Sequence, residues 1–305
     1  MPKYHANGKL LLTGEYFVLH GSKSIALPLK SSQNLYVFEG LPSNSLLWYA
    51  FYNGAVWFWC ELDASDFSVI AANNMERAII LKKIFLTIQS MNPNLPAKAG
   101  TRFESVLDAN PEWGFGSSST LISLLSQWAN VDPYKLNEMI FNGSGFDIAC
   151  ATAEGPIFYI RNKQIQPVEL KYPFSNQLFF VYSGKKKETR TEVSTFLNKA
   201  KVSDFLINEI SKLSDEFADC HEQIVFNQLI CEHEKIVGNL IRQTPVKEDY
   251  FHDFEGEIKS LGAWGGDFYL ISTDLPALKV NKYFENKGLS TIFSWNELII
   301  KRDNQ

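Results

Sequence analysis

Cysteine is scarce in this chain, with four among 305 residues. Cys60, Cys150, Cys220 and Cys231 are too few for the disulfide framework of a small secreted fold, and they read as reduced thiols of a cytoplasmic protein. Long apolar runs are missing as well. No stretch approaches the roughly 20 residues that span a bilayer, and the opening MPKYHANGKL has no signal-peptide apolar core. Neither membrane insertion nor export is therefore expected. Positive charge is not in excess: 29 Lys and Arg face 34 Asp and Glu, a net charge of −5. A nucleic-acid binder would show a basic stripe. A local basic site for an anionic small molecule stays open. There is no internal repeat and no low-complexity tract.

What the chain does have is core-forming material. Hydrophobic residues make up 45% and Phe alone numbers 23, ample for buried cores. The length suggests about two domains. Apolar residues at helical spacing predict a helix over Met75–Met91, closed by Pro93 and Pro96. A second runs from Ser117 to about Ala129, and Asp132-Pro133 opens a shorter one. KLLLTGEYFVLHG reads as a strand, a turn at Gly14 and a short apolar element. LYVFEG and SLLWYAFYNGAVWFWCEL read as strands, the latter folded at Asn53-Gly54. GTRFESVLDANP alternates as a strand, GPIFYIRNKQIQPVEL is a hairpin turning at Asn162-Lys163, and QLFFVYSG is a buried strand.

Helices are expected from about Thr191 to Arg242. The last third then reads strand, helix, strand: GDFYLIST, LPALKVNKYFENKG, STIFSWNELII. KYPFSN breaks the pattern near Lys171–Ser175, which divides the chain into residues 1–172 and 173–305. The expected class is α+β in two domains rather than one doubly wound sheet. CHEQIVFNQLICEH has the look of a metal box but reads as continuous helix. Cys220 and Cys231 would then lie about 16 Å apart at 1.5 Å per residue, too far for one zinc.

One stretch does not read as ordinary core. NPEWGFGSSSTLISLLSQWA, Asn110 to Ala129, pours a small-residue loop into the start of an apolar helix. A helix N-terminus has unpaired N–H groups and partial positive charge. Glycines let backbone approach a ligand, and serine hydroxyls can ligate Mg²⁺. Together they make an anion cradle suited to phosphate. The spelling is not a Walker loop, a dinucleotide fingerprint or a hydrolase elbow. A Ser-capped helix after a Gly turn is the competing reading. Two more stretches bear on the choice. GKLLLTGEY sets Lys9 before an apolar strand, where a lone Lys is usually solvated. NGSGFDIACATAEGPIFYI sets Asp147 after a Gly-Ser-Gly turn, either as a buried base or as a helix N-cap. SLGAWGGDFYLIS is a second Gly-rich turn feeding a strand.

In this order the segments resemble the GHMP kinases, the superfamily of galactokinase, homoserine kinase, mevalonate kinase and phosphomevalonate kinase. GKLLLTGEYFVLHG resembles the first family motif, in the Gly-Glu-Tyr form of the phosphomevalonate branch. PEWGFGSSST resembles the second and GAWGGD, Gly262 to Asp267, the third. GSGFDIACATAEGPIFY is similar to the catalytic-aspartate segment of mevalonate and phosphomevalonate kinases. FFVYSGKKKETRTEV is similar to the strand and turn that open the second domain. The resemblance spans about residues 3 to 300. Each Gly-rich match is weak alone, but four in order are strong.

The resemblance implies a two-domain fold, the first like ribosomal protein S5 domain 2 and the second ferredoxin-like. It implies ATP and Mg²⁺ as cofactors and a small-molecule acceptor, an alcohol or a phosphate, handled by a monomer or homodimer. Gly114, Phe115, Gly116, Ser117, Ser118 and Ser119 would hold the ATP phosphates, with Gly262, Ala263, Gly265 and Gly266 capping the site. Ser118 would ligate Mg²⁺, with Glu138 as a second ligand. Asp147 would orient or deprotonate the acceptor hydroxyl and Lys9 would stabilise developing negative charge, so the two should converge. Glu15, Ser144, Lys185 and Arg190 fall on the acceptor side. Lys185, Lys186, Lys187 and Arg190 read either as a solvated loop or as an anion clamp. Trp264 stands where the family has Gly, and Glu112-Trp113 where it has smaller residues; either Trp would reshape the pocket or simply pack. Two rival readings use the same fold. One is a diphosphomevalonate decarboxylase, whose Ser-rich segment is not seen. The other is a non-catalytic nucleotide- or metabolite-binding protein.

Overall fold

The computed structural model describes residues 3–94, 99–163, 165–184, 202–262 and 267–302. The first half forms β1 (Lys3–Leu11), β2 (Ser24–Phe38), β3 (Ser45–Tyr52), β4 (Ala55–Asp63), β5 (Val69–Ala72), α1 (Met75–Met91) and β6 (Thr101–Leu107). Next come α2 (Ser117–Ala129), α3 (Pro133–Phe141), α4 (Phe146–Ala151), β7 (Ile157–Tyr159) and β8 (Gln166–Pro167). The remainder is β9 (Leu178–Tyr182), α5 (Asp204–Ala218), α6 (Gln223–Ile241), α7 (Val246–Tyr250), β10 (Glu257–Leu261), β11 (Phe268–Ser272), α8 (Ala277–Asn286), β12 (Ile292–Ser294) and α9 (Trp295–Leu298). None of the described helices is long and apolar enough to cross a membrane.

Packing divides the chain into two units, and neither is one continuous stretch. The first holds residues 1–8, 31–111 and 115–152; the second holds 9–30, 112–114 and 153–305. The break expected at Lys171–Ser175 falls inside the second unit. Composition could not show this, because β1 and β2 each run through the division as single strands.

In the first unit the strands lie in the order β5-β4-β3-β6-β2. The β3–β4 hairpin turns at Asn53 (φ 49°) and Gly54 (φ 73°), the two positive φ values of a hairpin turn whose twist matches its strands. β3 runs parallel to β6, and β6 antiparallel to β2. Alternation along β6 turns Thr101, Phe103, Ser105 and Leu107 inward. Phe85 from α1, Phe103 from β6 and Trp128 from α2 interlock, with Phe103 and Trp128 edge to face at 4.9 Å. Such aromatic pairs add about 0.5–1.5 kcal/mol beyond area burial, and they fix α2 on the sheet.

The shorter helix α3 starts as expected. Pro133 occupies its first turn, and Asp132 accepts hydrogen bonds from Tyr134 N and Lys135 N. Asp132→Ala should cost about 1 kcal/mol, the usual worth of such a cap, read as a lowered urea midpoint at unchanged slope.

In the second unit β10-β11-β9-β12 form an all-antiparallel sheet. Numbered by sequence from β9, that is strand order 2-3-1-4. With helices between the first and second strands and between the third and fourth, it is the split β-α-β-β-α-β arrangement. Phe179, Val181, Phe251, Phe254, Ile258, Tyr269, Ile271, Val280 and Phe284 form one core cluster. A second aromatic group stacks Phe180 on Trp295 at 5.6 Å and sets Tyr172 against Phe226.

Two local readings change. The helix expected through Cys220 is broken: α5 ends at Ala218 and α6 starts at Gln223, with Cys220 Sγ donating to Glu222 O across the turn. Cys220 is therefore a buried loop thiol, while Cys231 is exposed on α6. The final expected strand shrinks to Ile292–Ser294, because Ser294 and Glu297 form a reciprocal capping box that starts α9.

Candidate functional site

In the first unit the expected anion cradle is a real helix start. Its cap residue is Gly116, in the left-handed region at φ 89°, and no side chain caps it. This goes against the Ser-capped reading. Ser119 N and Thr120 N both reach Gly116 O at 2.9 Å. Thr120 turns inward and donates to Gln33 Oε1 at 2.5 Å, which leaves Ser117 and Ser119 half-buried and Ser118 exposed. The first turn of α2 holds no acidic residue, so nothing there repels an anion. Phe115 is buried and anchors the loop. Beside it lies a small, open concavity lined by Gly8, Ser31, Ser32, Asn110, Phe115 and Ser117, among others.

Asp147 is the second residue of α4, half-buried, and Gly145 rather than Asp147 is that helix's N-cap. The capping alternative for Asp147 is thereby removed. Ser144 is buried in the turn before it. Glu138 is exposed on α3. Among the described residues no three His, Cys, Asp or Glu gather as a metal cluster.

The second unit brings three of the glycine-bearing segments to one point. Lys9, half-buried on β1, donates to Gly114 O at 3.2 Å. Gly114 has φ 72°, and a Cβ built on it would lie 2.4 Å from the Asp267 carboxylate. A Cβ on Gly262 would lie 3.3 Å from Asp267 Oδ2. Lys9 belongs to the first motif, Gly114 to the second, and Gly262 and Asp267 to the third. In the sequence Asp267 stands only as the last residue of GAWGGD. Its signal was the acid closing GAWGGD, directly before a buried strand.

The loop bearing Gly114 is anchored by its neighbours. Trp113 meets Phe293 edge to face at 5.3 Å and Tyr182 at 6.4 Å, and Tyr182 Oη donates to Glu112 O at 3.1 Å. Trp113 is thus a packing residue. The Tyr182 hydroxyl is pushed above its ordinary range by burial, then by Asp267 and Glu112. Ala263, Trp264, Gly265, Gly266, Lys185, Lys186, Lys187 and Arg190 lie outside the described residues.

Glu15, expected on the acceptor side, sits in a buried polar group. Only 4% exposed, it accepts from the fully buried Lys259 Nζ at 2.5 Å. His233 Nε2 lies 3.3 Å from its other oxygen. That nitrogen already accepts Gly14 N–H at 3.0 Å, and burial, then Lys259, lowers the ring's pKa well below its ordinary value. His233 is therefore neutral, and its approach to Glu15 is not a charged pair. Burial raises the Glu15 carboxyl, which Lys259 partly offsets. Neighbouring Glu234 is pushed up to about 8, mainly by burial. No local pattern marks this group, because its members are spread from Gly14 to Lys259 along the chain.

No family model matches the sequence, and no curated protein matches it. Solved structures do. The mevalonate kinase of Methanococcus jannaschii matches with a TM-score of 0.71 at 18% identity, over 98% of each chain. The Streptococcus pneumoniae phosphomevalonate kinase, in complex with phosphomevalonate and AMPPNP, gives 0.66 at 17% identity, over 96% of this chain and 100% of that one. Galactokinase of Lactococcus lactis, complexed with galactose, gives 0.67 at 11%, over 98% and 93%. The α+β fold expected from the resemblance is the fold these kinases share.

Proposed function

We propose that this chain is an ATP- and Mg²⁺-dependent kinase of the GHMP type, transferring the γ-phosphoryl group to a small-molecule alcohol or phosphate, most like mevalonate or phosphomevalonate. The observation that carries the reading is the meeting of Lys9, Gly114, Gly262 and Asp267. From that point the chain runs directly into an uncapped, acid-free helix start.

Phosphoryl transfer is mostly positioning and charge neutralisation. Gly114 to Ser119 would seat the nucleotide's phosphates on backbone N–H groups, with the helix macrodipole favouring their charge. Asp147 would take or orient the acceptor's hydroxyl proton. Lys9 would hold the negative charge that develops as that proton leaves. The exposed Ser118 hydroxyl fits a Mg²⁺ ligand, since Mg²⁺ in phosphate sites takes few protein ligands and keeps several waters. The ion would neutralise phosphate charge. Lys185 and Arg190 are the proposed acceptor clamp, with Ser144 near the turn that presents Asp147.

The decisive experiment measures ADP release with mevalonate, phosphomevalonate, galactose and homoserine, and CO₂ release with diphosphomevalonate. ADP formation with one acceptor, without CO₂, supports the kinase. Nucleotide binding with no ADP from any acceptor would overturn it.

Gly114→Ala tests the seat itself. The new methyl would meet the Asp267 carboxylate in a backbone region that favours glycine. An ångström of misplacement can cost about a hundredfold, so kcat/KM for ATP should fall by about ten- to a hundredfold. Adding Asp267→Gly should restore part of the loss in the same steady-state assay.

A further inference from the structure

The turn after β1 is held with more polar machinery than a turn needs. Thr13 Oγ1 lies 2.7 Å from Ser214 Oγ on α5 and accepts from Ile25 N at 2.9 Å. Gly14 N donates to His233 Nε2 on α6 at 3.0 Å. Glu15 Oε1 accepts from Lys259 Nζ on β10 at 2.5 Å, and the same ammonium donates to Ser260 O at 3.0 Å. Three consecutive residues are thus held by three different elements of the second unit. Gly14 leaves no slack, since a Cβ there would lie 2.0 Å from Ser24 Oγ. Burying an ammonium with zero exposure is expensive unless it is paired, and apolar packing would have held a turn at lower cost. What directed polar contacts add is a fixed register.

The register matters at both ends. Lys9 stands two residues before the end of β1, and β10 ends at Leu261, next to Gly262. We infer that His233 and Lys259 are positioning residues, which clamp the Thr13–Glu15 turn to α6 and β10 and so hold Lys9 and Gly262 in place. This rests on the kinase reading only for the role of Lys9.

The test uses the full chain and three variants. Glu15→Gln with Lys259→Met removes the pair from both sides, so that no buried charge is stranded. His233→Leu removes the acceptor of Gly14 N–H, and His233→Gln keeps an oxygen near the Nε2 position. Thermal melts establish that each folds. Amide hydrogen exchange over residues 9–16 and 257–262 should quicken by about tenfold in the first two variants. Turnover should fall by about tenfold in His233→Leu with the KM for ATP nearly unchanged, and His233→Gln should recover most of it. In a Lys9→Ala background the same changes should lower turnover by less than about twofold, because coupled residues are not additive. Unchanged exchange at the turn, or an equal loss of turnover in both backgrounds, would overturn the clamp. Should the unaltered protein form no ADP with any acceptor, the kinase reading fails, and the exchange measurement still decides the clamp.

Discussion

Asp147→Asn should lower turnover at least about a hundredfold and leave ATP affinity nearly intact, because general-base catalysis by one side chain is worth about 10²–10⁴. Asn has the same shape but cannot accept a proton. The structural cost is small. Gly145, not Asp147, caps α4, so no cap is lost. Removing one negative charge from the first turn costs about 0.3–1 kcal/mol, which a melt would report separately from turnover. The buried Ile148, Ala149, Cys150 and Ala151 keep the helix in place. Steady-state kinetics with calorimetric ATP titration make the measurement. Equal turnover in the variant would remove Asp147 from the chemistry, while a matching loss of ATP affinity would move it to the nucleotide side. A Lys9→Ala change should also lower turnover, and the combined variant should lose less than the product if both act on one hydroxyl.

The helices and the glycine-serine loop that frame the candidate site are legible in the sequence, and the reason is local. The bounds of α1 and α2 follow from apolar spacing and from start signals within a few residues: Asn74 accepts from Arg77 N, and a Gly loop precedes Ser117. The cradle itself is local too, since glycines, serines and a helix start occur in one stretch. What could not be read depends on partners far along the chain. β10 is spelled EIKSL, and its central Lys259 looks like a solvent residue. It is buried only because Glu15, 244 residues away, supplies the opposite charge. Asp267 gains its place from Gly114, and no spacing rule links the two. Glu15 is a further case: its motif is local, but its burial against Lys259 and His233 depends on partners more than 200 residues away. The division into units escaped composition because two strands are shared across it.

The same interior predicts an unusual response to pH, seen by replacing Glu234 with Gln. Glu234 is 2% exposed on α6, and burial holds its carboxyl at about 8 against an ordinary 4.5, with Glu15 adding to the rise and Lys259 opposing it. A carboxyl whose pKa is raised on folding favours the folded state below its unfolded value. That advantage is lost as pH climbs from about 4.5 towards 8, at up to about 1.4 kcal/mol per pH unit. His233 acts in the other direction. Its pKa is lowered by burial, so the unfolded ring gains a proton first as pH falls below the ordinary 6.5, and stability is lost on that side. The unaltered protein is squeezed between the two groups, whereas Glu234→Gln removes only the alkaline arm. Urea unfolding of both proteins from pH 5 to pH 9 should therefore show the variant gaining on the original by several kcal/mol up to about pH 8, then holding level. A difference that stays flat across this range would mean that the carboxyl is already ionised in the folded protein, with the Lys259 ammonium shared between Glu15 and Glu234 rather than committed to Glu15.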